Sequence, residues 1–245
     1  MKLHFLIGFM SLFLCINNPL ASSISLSESI IDFNHEIKKR FIDIPVTNTD
    51  KNAKAYVKIV PFEILNPGTK DEKRVEIKGK IKDTLIVSPK KMVIPNGSAR
   101  NLRLVPMFTN VTEDKIFRVR VEPVIGGADS DESSLVTILI AYDVLVMIRP
   151  KQDNTSYDIK RKGSKIMFKN TGNTNILIRN SMLCPAEVTD KNSDSCNKAM
   201  NFRLYAGNKK IVDLKDFATD KIKDINSSKI YFRVVEARKN VDLEY

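Results

Sequence analysis

Histidine is nearly missing from this chain, cysteine is scarce, and no apolar run is long enough to cross a membrane as a helix. Of 245 residues, two are histidine and three are cysteine. His4 belongs to a leader-like start, which leaves His35, in the polar run Asn34-His35-Glu36, as a surface residue. A nucleophilic triad needs a histidine beside a serine or cysteine, so that chemistry has no good carrier here. A zinc site needs clustered ligands, and none gather around the cysteines. Phosphate-cradling glycine loops are also lacking: Asn96-Gly97 and Gly126-Gly127 read as turns, and neither opens a helix. The acids Asp71 and Glu72, and Asp129, Asp131 and Glu132, lie in hydrophilic loops where a solvated role is the default. The sequence points away from an enzyme and calls for no cofactor and no metal.

What is present begins with an export signal. Met1-Lys2-Leu3-His4 leads into an uncharged run from Phe5 to Ile16, followed by small residues at Ala21, Ser22 and Ser23. This is the pattern of a secretory signal peptide, residues 1–21, cut after Ala21 or Ser23. Cys15 follows Phe13 and Leu14, where lipid attachment requires small residues. Export leaves Cys184 and Cys196, and an oxidising compartment favours a disulfide over two free thiols. Such a short closed loop is worth about 3 kcal/mol in chain entropy, a local staple. The net charge of +11 and pI of about 9.5 would ordinarily suggest nucleic acid. Export argues against that, and acids are interspersed among the bases, as in KDEKRVEIKGKIKD from Lys70 to Asp83. A solvated basic surface remains, able to steer an acidic protein partner.

The mature length of about 220 residues suits two domains, divided at Pro150 into 22–150 and 151–245. Before it, β-rich runs recur at Ile24 to Phe33, Phe41 to Asn48, Ala55 to Ile64, Arg74 to Ile77, Leu85 to Ser88, Ser98 to Pro106 and Ile116 to Val124. Turn residues separate them, as at Asn66-Pro67-Gly68 and Pro95-Asn96-Gly97. After Pro150 the candidates are Tyr157 to Arg161, Lys165 to Asn170, Asn175 to Asn180, Met200 to Tyr205, Lys210 to Leu214 and Ile230 to Glu236, with Arg238 to Tyr245 as a frayed tail. No long amphipathic helix competes. The expected fold is all-β, two immunoglobulin-like β-sandwich domains.

One run stands apart. Leu135 to Pro150, LVTILIAYDVLVMIRP, is rich in β-branched residues and reads as one strand of more than about 45 Å. A strand so long and apolar on both faces needs cover on both, and the second cover need not come from its own domain.

Several stretches resemble the periplasmic chaperones of the chaperone–usher pathway, which assemble bacterial pili. Leu85-Ile86-Val87-Ser88-Pro89 through Met92-Val93-Ile94-Pro95-Asn96-Gly97 to Leu102-Arg103-Leu104 is similar to that family's order of apolar strand, proline, second apolar stretch, turn and arginine-bearing strand. Phe117-Arg118-Val119 with Glu122-Pro123-Val124 resembles its next strand. Leu65-Asn66-Pro67-Gly68-Thr69, Asn170-Thr171-Gly172-Asn173 and the pair Cys184 and Cys196 resemble the alternate subgroup, which serves pili of the colonisation-factor type.

The resemblance implies a periplasmic protein that holds pilin subunits and hands them to an outer-membrane usher without ATP. Pilins of these systems lack a strand, and the chaperone lends the last strand of its first domain. Val136, Ile138, Ile140 and Tyr142 match the donated side chains, while Val144, Val146 and Ile148 are expected in the chaperone's own core; from Tyr142 onward a wholly buried strand is the competing reading. The family's basic anchors for the pilin's terminal carboxylate fall here near Ile30 and Leu145, which cannot bind it, so Arg118 is the candidate anchor. Arg103 is expected to be a structural residue, in an internal ion pair with an acid such as Asp114. Self-association of the free chain is another way of covering the strand, and an exported structural β-protein that polymerises through it is the alternative function.

Overall fold

The computed structural model describes residues 24–34, 40–79, 81–124, 139–236 and 239–245. The leader, His35, Val136 and Ile138 lie outside the described residues.

The first sandwich is built from β1 (Ile24–Leu26), β2 (Ile30–Phe33), β3 (Ile42–Asn48), β4 (Ala55–Leu65), β5 (Lys73–Glu76), β6 (Thr84–Ser88), β7 (Lys91–Ile94), β8 (Ala99–Met107), β9 (Lys115–Val124) and β10 (Tyr142–Ile148). One sheet runs β1-β3-β8-β6; the facing sheet runs β2-β10-β9-β4-β5, with β7 also on β4. Period-two alternation fixes each strand's register: Leu102 and Leu104 of β8 point inward, while Arg103 between them faces out. Val46, Ile94, Phe117, Val119 and Val121 complete a core closed to solvent. The run Ile24 to Phe33 divides into two strands that join opposite sheets, and Lys91–Ile94 forms a strand of its own.

The second sandwich pairs β11 (Tyr157–Lys162), β12 (Lys165–Asn170) and β16 (Lys209–Asp213) in one sheet. Its other sheet orders β14 (Asn197–Lys198), β13 (Ile176–Cys184), β17 (Lys229–Val235) and β18 (Asn240–Glu244), with β15 (Phe202–Leu204) also on β13. Phe168 anchors the core, its ring 5.2 Å from Phe202 and 5.4 Å from Phe232. The only helical turn among the described residues is the short 3-10 stretch Leu214–Phe217. Gly172 closes the turn after β12, where an added Cβ would sit 2.1 Å from the Asn154 carbonyl oxygen.

Two expectations are corrected here. The C-terminal stretch is not a frayed tail: β18 pairs antiparallel with β17, Val241 opposite Val234 and Leu243 opposite Phe232. Arg233 grips Asp242 through two hydrogen bonds of 2.7 and 2.9 Å, and the Tyr245 ring stacks on Phe232 at 5.7 Å. Alternation in Val241-Asp242-Leu243-Glu244-Tyr245 was the available signal. The second correction concerns the long run, whose regular strand begins only at Tyr142; Leu139 to Ala141 are described but lie outside it. Continuing the ladder of β10 on β9 would set Ile140 opposite Pro123, which has no N–H to give.

Both faces of β10 are covered from within the chain. Val144, Val146 and Ile148 enter the main core. Leu145 and Met147, on the other face, join a small cluster with Ile64 and Ile116, against which Phe62 and Tyr205 pack. Tyr205 comes from the second sandwich, so that sandwich supplies the second cover for this half of the strand.

Cys184, at the end of β13, is bonded to Cys196 across a separation of 12 residues. Replacing both by serine is expected to lower stability by about 3 kcal/mol through the freed chain entropy of the unfolded state. Comparing denaturation midpoints of the oxidised protein and the double variant checks this; no shift would mean that the turns alone hold the loop.

Candidate functional site

β10 leaves the sheet at its N-terminal end as an exposed apolar stretch. Leu139 is 43% and Ile140 50% exposed. Tyr142 marks the point of entry: it packs against the main core, and its Oη donates to the Ile24 carbonyl oxygen at 3.0 Å. Ile140 and Tyr142 therefore differ in character. One is presented at the surface; the other is fastened to its own sandwich.

A registered row crosses the outer face of the same sheet. Leu145 lies between Ile30 of β2 and Arg118 of β9, and Phe62 of β4 follows Arg118. The two positions where the family's basic anchors would fall are thus direct neighbours, and Arg118 stands immediately beyond them. Around Arg118 the charges cluster. Its Nη1 donates to the Asp143 carbonyl oxygen at 3.3 Å, and its Nε is 3.9 Å from Asp143 Oδ2. Arg74 of β5 donates through Nη2 to the same carboxylate oxygen. Arg120, directly opposite Asp143 in the ladder, lies with its guanidinium 5.7 Å from the centre of the Phe62 ring, and Arg74 lies 5.6 Å from it. Two guanidiniums, Arg74 and Arg118, thus approach one carboxylate, and a third arginine, Arg120, sits across the ladder from it. Arg120 was legible from the sequence as the residue two beyond Arg118, on the same face of a strand. Arg74 was not, because only the pairing of β5 on β4 brings it there.

Arg103 pairs with an acid, as expected, but the acid is Asp43 and not Asp114. β3 lies directly against β8, which sets Asp43 opposite Arg103, and Arg103 Nε and Nη2 donate to Asp43 at 2.7 and 2.8 Å. Its guanidinium also covers the Phe41 ring at 4.0 Å.

Asp114 instead helps to join the sandwiches. Its carboxylate accepts from Thr174 Oγ1 at 2.9 Å, from the Asn175 backbone N–H at 2.7 Å and from Asn175 Nδ2. Arg149, just past β10, is buried between the two halves: its Nε and Nη2 each donate to Asp32 at 2.8 Å, and its Nη1 donates to Thr174 Oγ1. Arg203 Nη1 donates to Asn175 Oδ1, which fixes that amide's orientation. Asn173 Nδ2 and Asn208 Nδ2 donate across to the carbonyl oxygens of Thr112 and Pro67 at 3.0 and 2.7 Å. Burial pushes the Asp114 carboxyl above the usual range, against the lowering pull of its Asn175 hydrogen bonds and Arg149. Burial also lowers the Arg203 guanidinium and raises the Tyr205 phenol. These bonds hold Tyr205 over the small cluster beside Arg118.

No family model matches the chain. It is similar to two curated proteins of Escherichia coli, both named as fimbrial subunits. The one from CS1 fimbriae is 29% identical over 160 residues, covering 62% of this chain and 66% of the relative. The one from CFA/I fimbriae is 30% identical over 160 residues, covering 61% and 64%. The match thus spans just under two thirds of each relative's length. Among solved structures, the class 5 fimbriae chaperone CfaA superposes with a TM-score of 0.60 at 23% identity, over 90% of this chain and 98% of that one. A chain of the chaperone–tip adhesin complex of CFA/I fimbriae biogenesis gives 0.59 at 21% identity, over 91% and 98%. A chain of the Salmonella enterica SafA pilin–SafB chaperone complex gives 0.57 at 10%, over 91% and 96%. The structural neighbours are chaperones of pilus systems, and the fold is their two-domain all-β fold.

Proposed function

We propose that the chain is a non-enzymatic periplasmic chaperone that binds a pilin subunit, keeps it folded and delivers it to an outer-membrane usher. In this reading residues 1–21 direct export, 22–150 form the pilin-holding domain and 151–245 brace it. The observation that carries it is the exposed apolar stretch at Leu139 and Ile140, continuous with a core strand and beside the arginine cluster. An extended strand whose alternate side chains fill a partner's open groove is β-augmentation: main-chain hydrogen bonds give affinity, and side-chain pockets give specificity. Val136, Ile138 and Ile140 are the side chains offered. Tyr142, held by Ile24, serves as the fixed foot of the strand rather than as a fourth offered side chain.

Arg118 then receives the pilin's terminal carboxylate, for which the planar guanidinium can supply two parallel hydrogen bonds. Arg118→Ala is expected to weaken capture about tenfold while leaving the melting temperature unchanged, since charge-assisted hydrogen bonds at a partly exposed site carry that order of binding energy. Pilin binding equal to that of the unaltered chain would remove Arg118 from the role.

The names of the curated relatives, fimbrial subunits, favour a second reading, an exported pilus component that polymerises through the same strand. Against it, a component that receives a strand needs an open groove in its own core, and both cores here are closed by their own strands among the described residues. Co-expression with a candidate pilin discriminates between the two. A soluble one-to-one complex is expected; recovery of this chain in assembled fibres would overturn the chaperone reading.

A further inference from the structure

We propose that Asp143 is an internal surrogate for the carboxylate that the arginine cluster receives, so that a guest's chain end must displace it and is released more readily in consequence. This rests on the reading of Arg118 as the anchor. The Asp143 carboxylate lies where an incoming carboxylate would be drawn. Arg74 donates to it, Arg118 Nε approaches the same oxygen at 3.9 Å, and Arg120 sits opposite in the ladder. The contacts to Arg118 are long, as a pairing made to be exchanged requires, and the side chains of Arg74, Arg118 and Asp143 are all partly exposed. Pairs in such surroundings are weak, so exchange costs little. The neighbouring acids are otherwise occupied: Glu122 pairs with Lys58 at 3.2 Å, and Glu76, beyond Phe62, approaches Lys78 at 3.7 Å. Asp143 is thus the one carboxylate seen to engage the cluster among the described residues.

Its place on the strand matters as much as its charge. Asp143 follows Tyr142 directly but faces outward, on the side opposite the core-facing Tyr142 and Val144. The strand that offers apolar side chains therefore also carries, at its fixed end, a competitor for the guest's charged terminus. A competitor of this kind weakens holding without altering the groove-filling contacts, which suits a protein that must let go.

The test uses the mature full-length chain and two synthetic peptides of alternating valine and threonine, one ending in a free carboxylate and the other in an amide. Binding is followed by the NMR shift of the Arg118 Nε–H and by titration at low and high salt. Asp143→Asn is expected to tighten the free-acid peptide about fivefold at low salt, to leave the amide peptide unchanged, and to lose the gain at high salt. Equal gains for both peptides, no gain, or weaker binding of the acid would each overturn the surrogate role. Arg118→Ala separates the two claims: if it abolishes the difference between acid and amide while Asp143→Asn changes nothing, the anchor stands and the surrogate falls. Unchanged thermal melting of Asp143→Asn shows that the comparison is made on the same fold.

Discussion

Arg149→Met is expected to destabilise the protein by about 3–4 kcal/mol, the lower part of what breaking a buried ion pair costs, because Asp32 keeps some contact with water. The Arg149 side chain is only 5% exposed and serves both halves of the molecule, donating to Asp32 on one side and to Thr174 on the other. Methionine fills the space but removes the guanidinium that Asp32 is hydrogen-bonded to, leaves Arg203 as the cation remaining near Asp32 and Asp114, and takes from Thr174 one of its partners. The loss should also depend on pH in a defined sense. Burial already holds the Asp114 carboxyl above its unfolded value, and Arg149 restrains that shift. A carboxyl raised in the folded state binds its proton more tightly there, so stability rises as pH falls from the folded value toward the unfolded one. Removing Arg149 widens this window, and the deficit of the variant should narrow on acidification. Denaturant melts of both proteins from neutral to mildly acidic pH measure this. A deficit that is constant or grows in acid would refute the assignment, and adding Asp114→Asn to the variant should recover part of the loss.

The second large effect is on capture. Ile138→Asp and Ile140→Asp are each expected to reduce retention of a co-expressed pilin by more than about a hundredfold, enough to lose the complex in a pull-down. Each removes about 1.5–3 kcal/mol of apolar burial in the complex and places there a charge that must be desolvated. Ile140 is half exposed and lies outside the regular strand, so its replacement should change the melt of the free protein little, by less than about 0.5 kcal/mol. A substantial loss of folding instead would assign these residues to the chain's own core and sink the proposed role of the strand.

How much of this was legible depends on the range of the interaction. Val57 and Ile59 of β4, and Leu102 and Leu104 of β8, declare their inward face through alternation alone, and the strands read from them agree with the structure to within a residue or two. The same rule, applied to Val241 and Leu243, would have found β18, but single apolar residues set among charges resemble a solvated tail until Phe232 and Val234 are seen opposite them. Ion pairing was legible only in kind: an acid partner for Arg103 was expected, but not which acid. Arg103 chose Asp43 because a strand 60 residues away lies in register with it, and no local pattern encodes that register. The interdomain bonds are hidden for the same reason: Asp114 and Thr174 meet across 60 residues of chain. The site itself was half legible. Ile30, Leu145 and Arg118 were singled out through the resemblance, but their common row, like the entry of Arg74 and Asp143, appears only in the folded sheet.

The shortness of β2 has a consequence of its own. β2 runs parallel to β10 and covers its edge only from Leu145 to Ile148, with Leu145 N–H donating to the Ser29 carbonyl oxygen at 2.9 Å. Upstream of Leu145, β9 is the only strand paired with β10 among the described residues. In the proposed function, a guest strand added along that edge would meet the end of β2 as a buffer stop, at Ile30, which is 55% exposed. Ile30 lies two strands over from Arg118, with Leu145 of β10 between them. Under the proposed function this four-residue strand would act as a ruler: it would set how far a guest can advance, and so which of the guest's side chains lie opposite the offered ones.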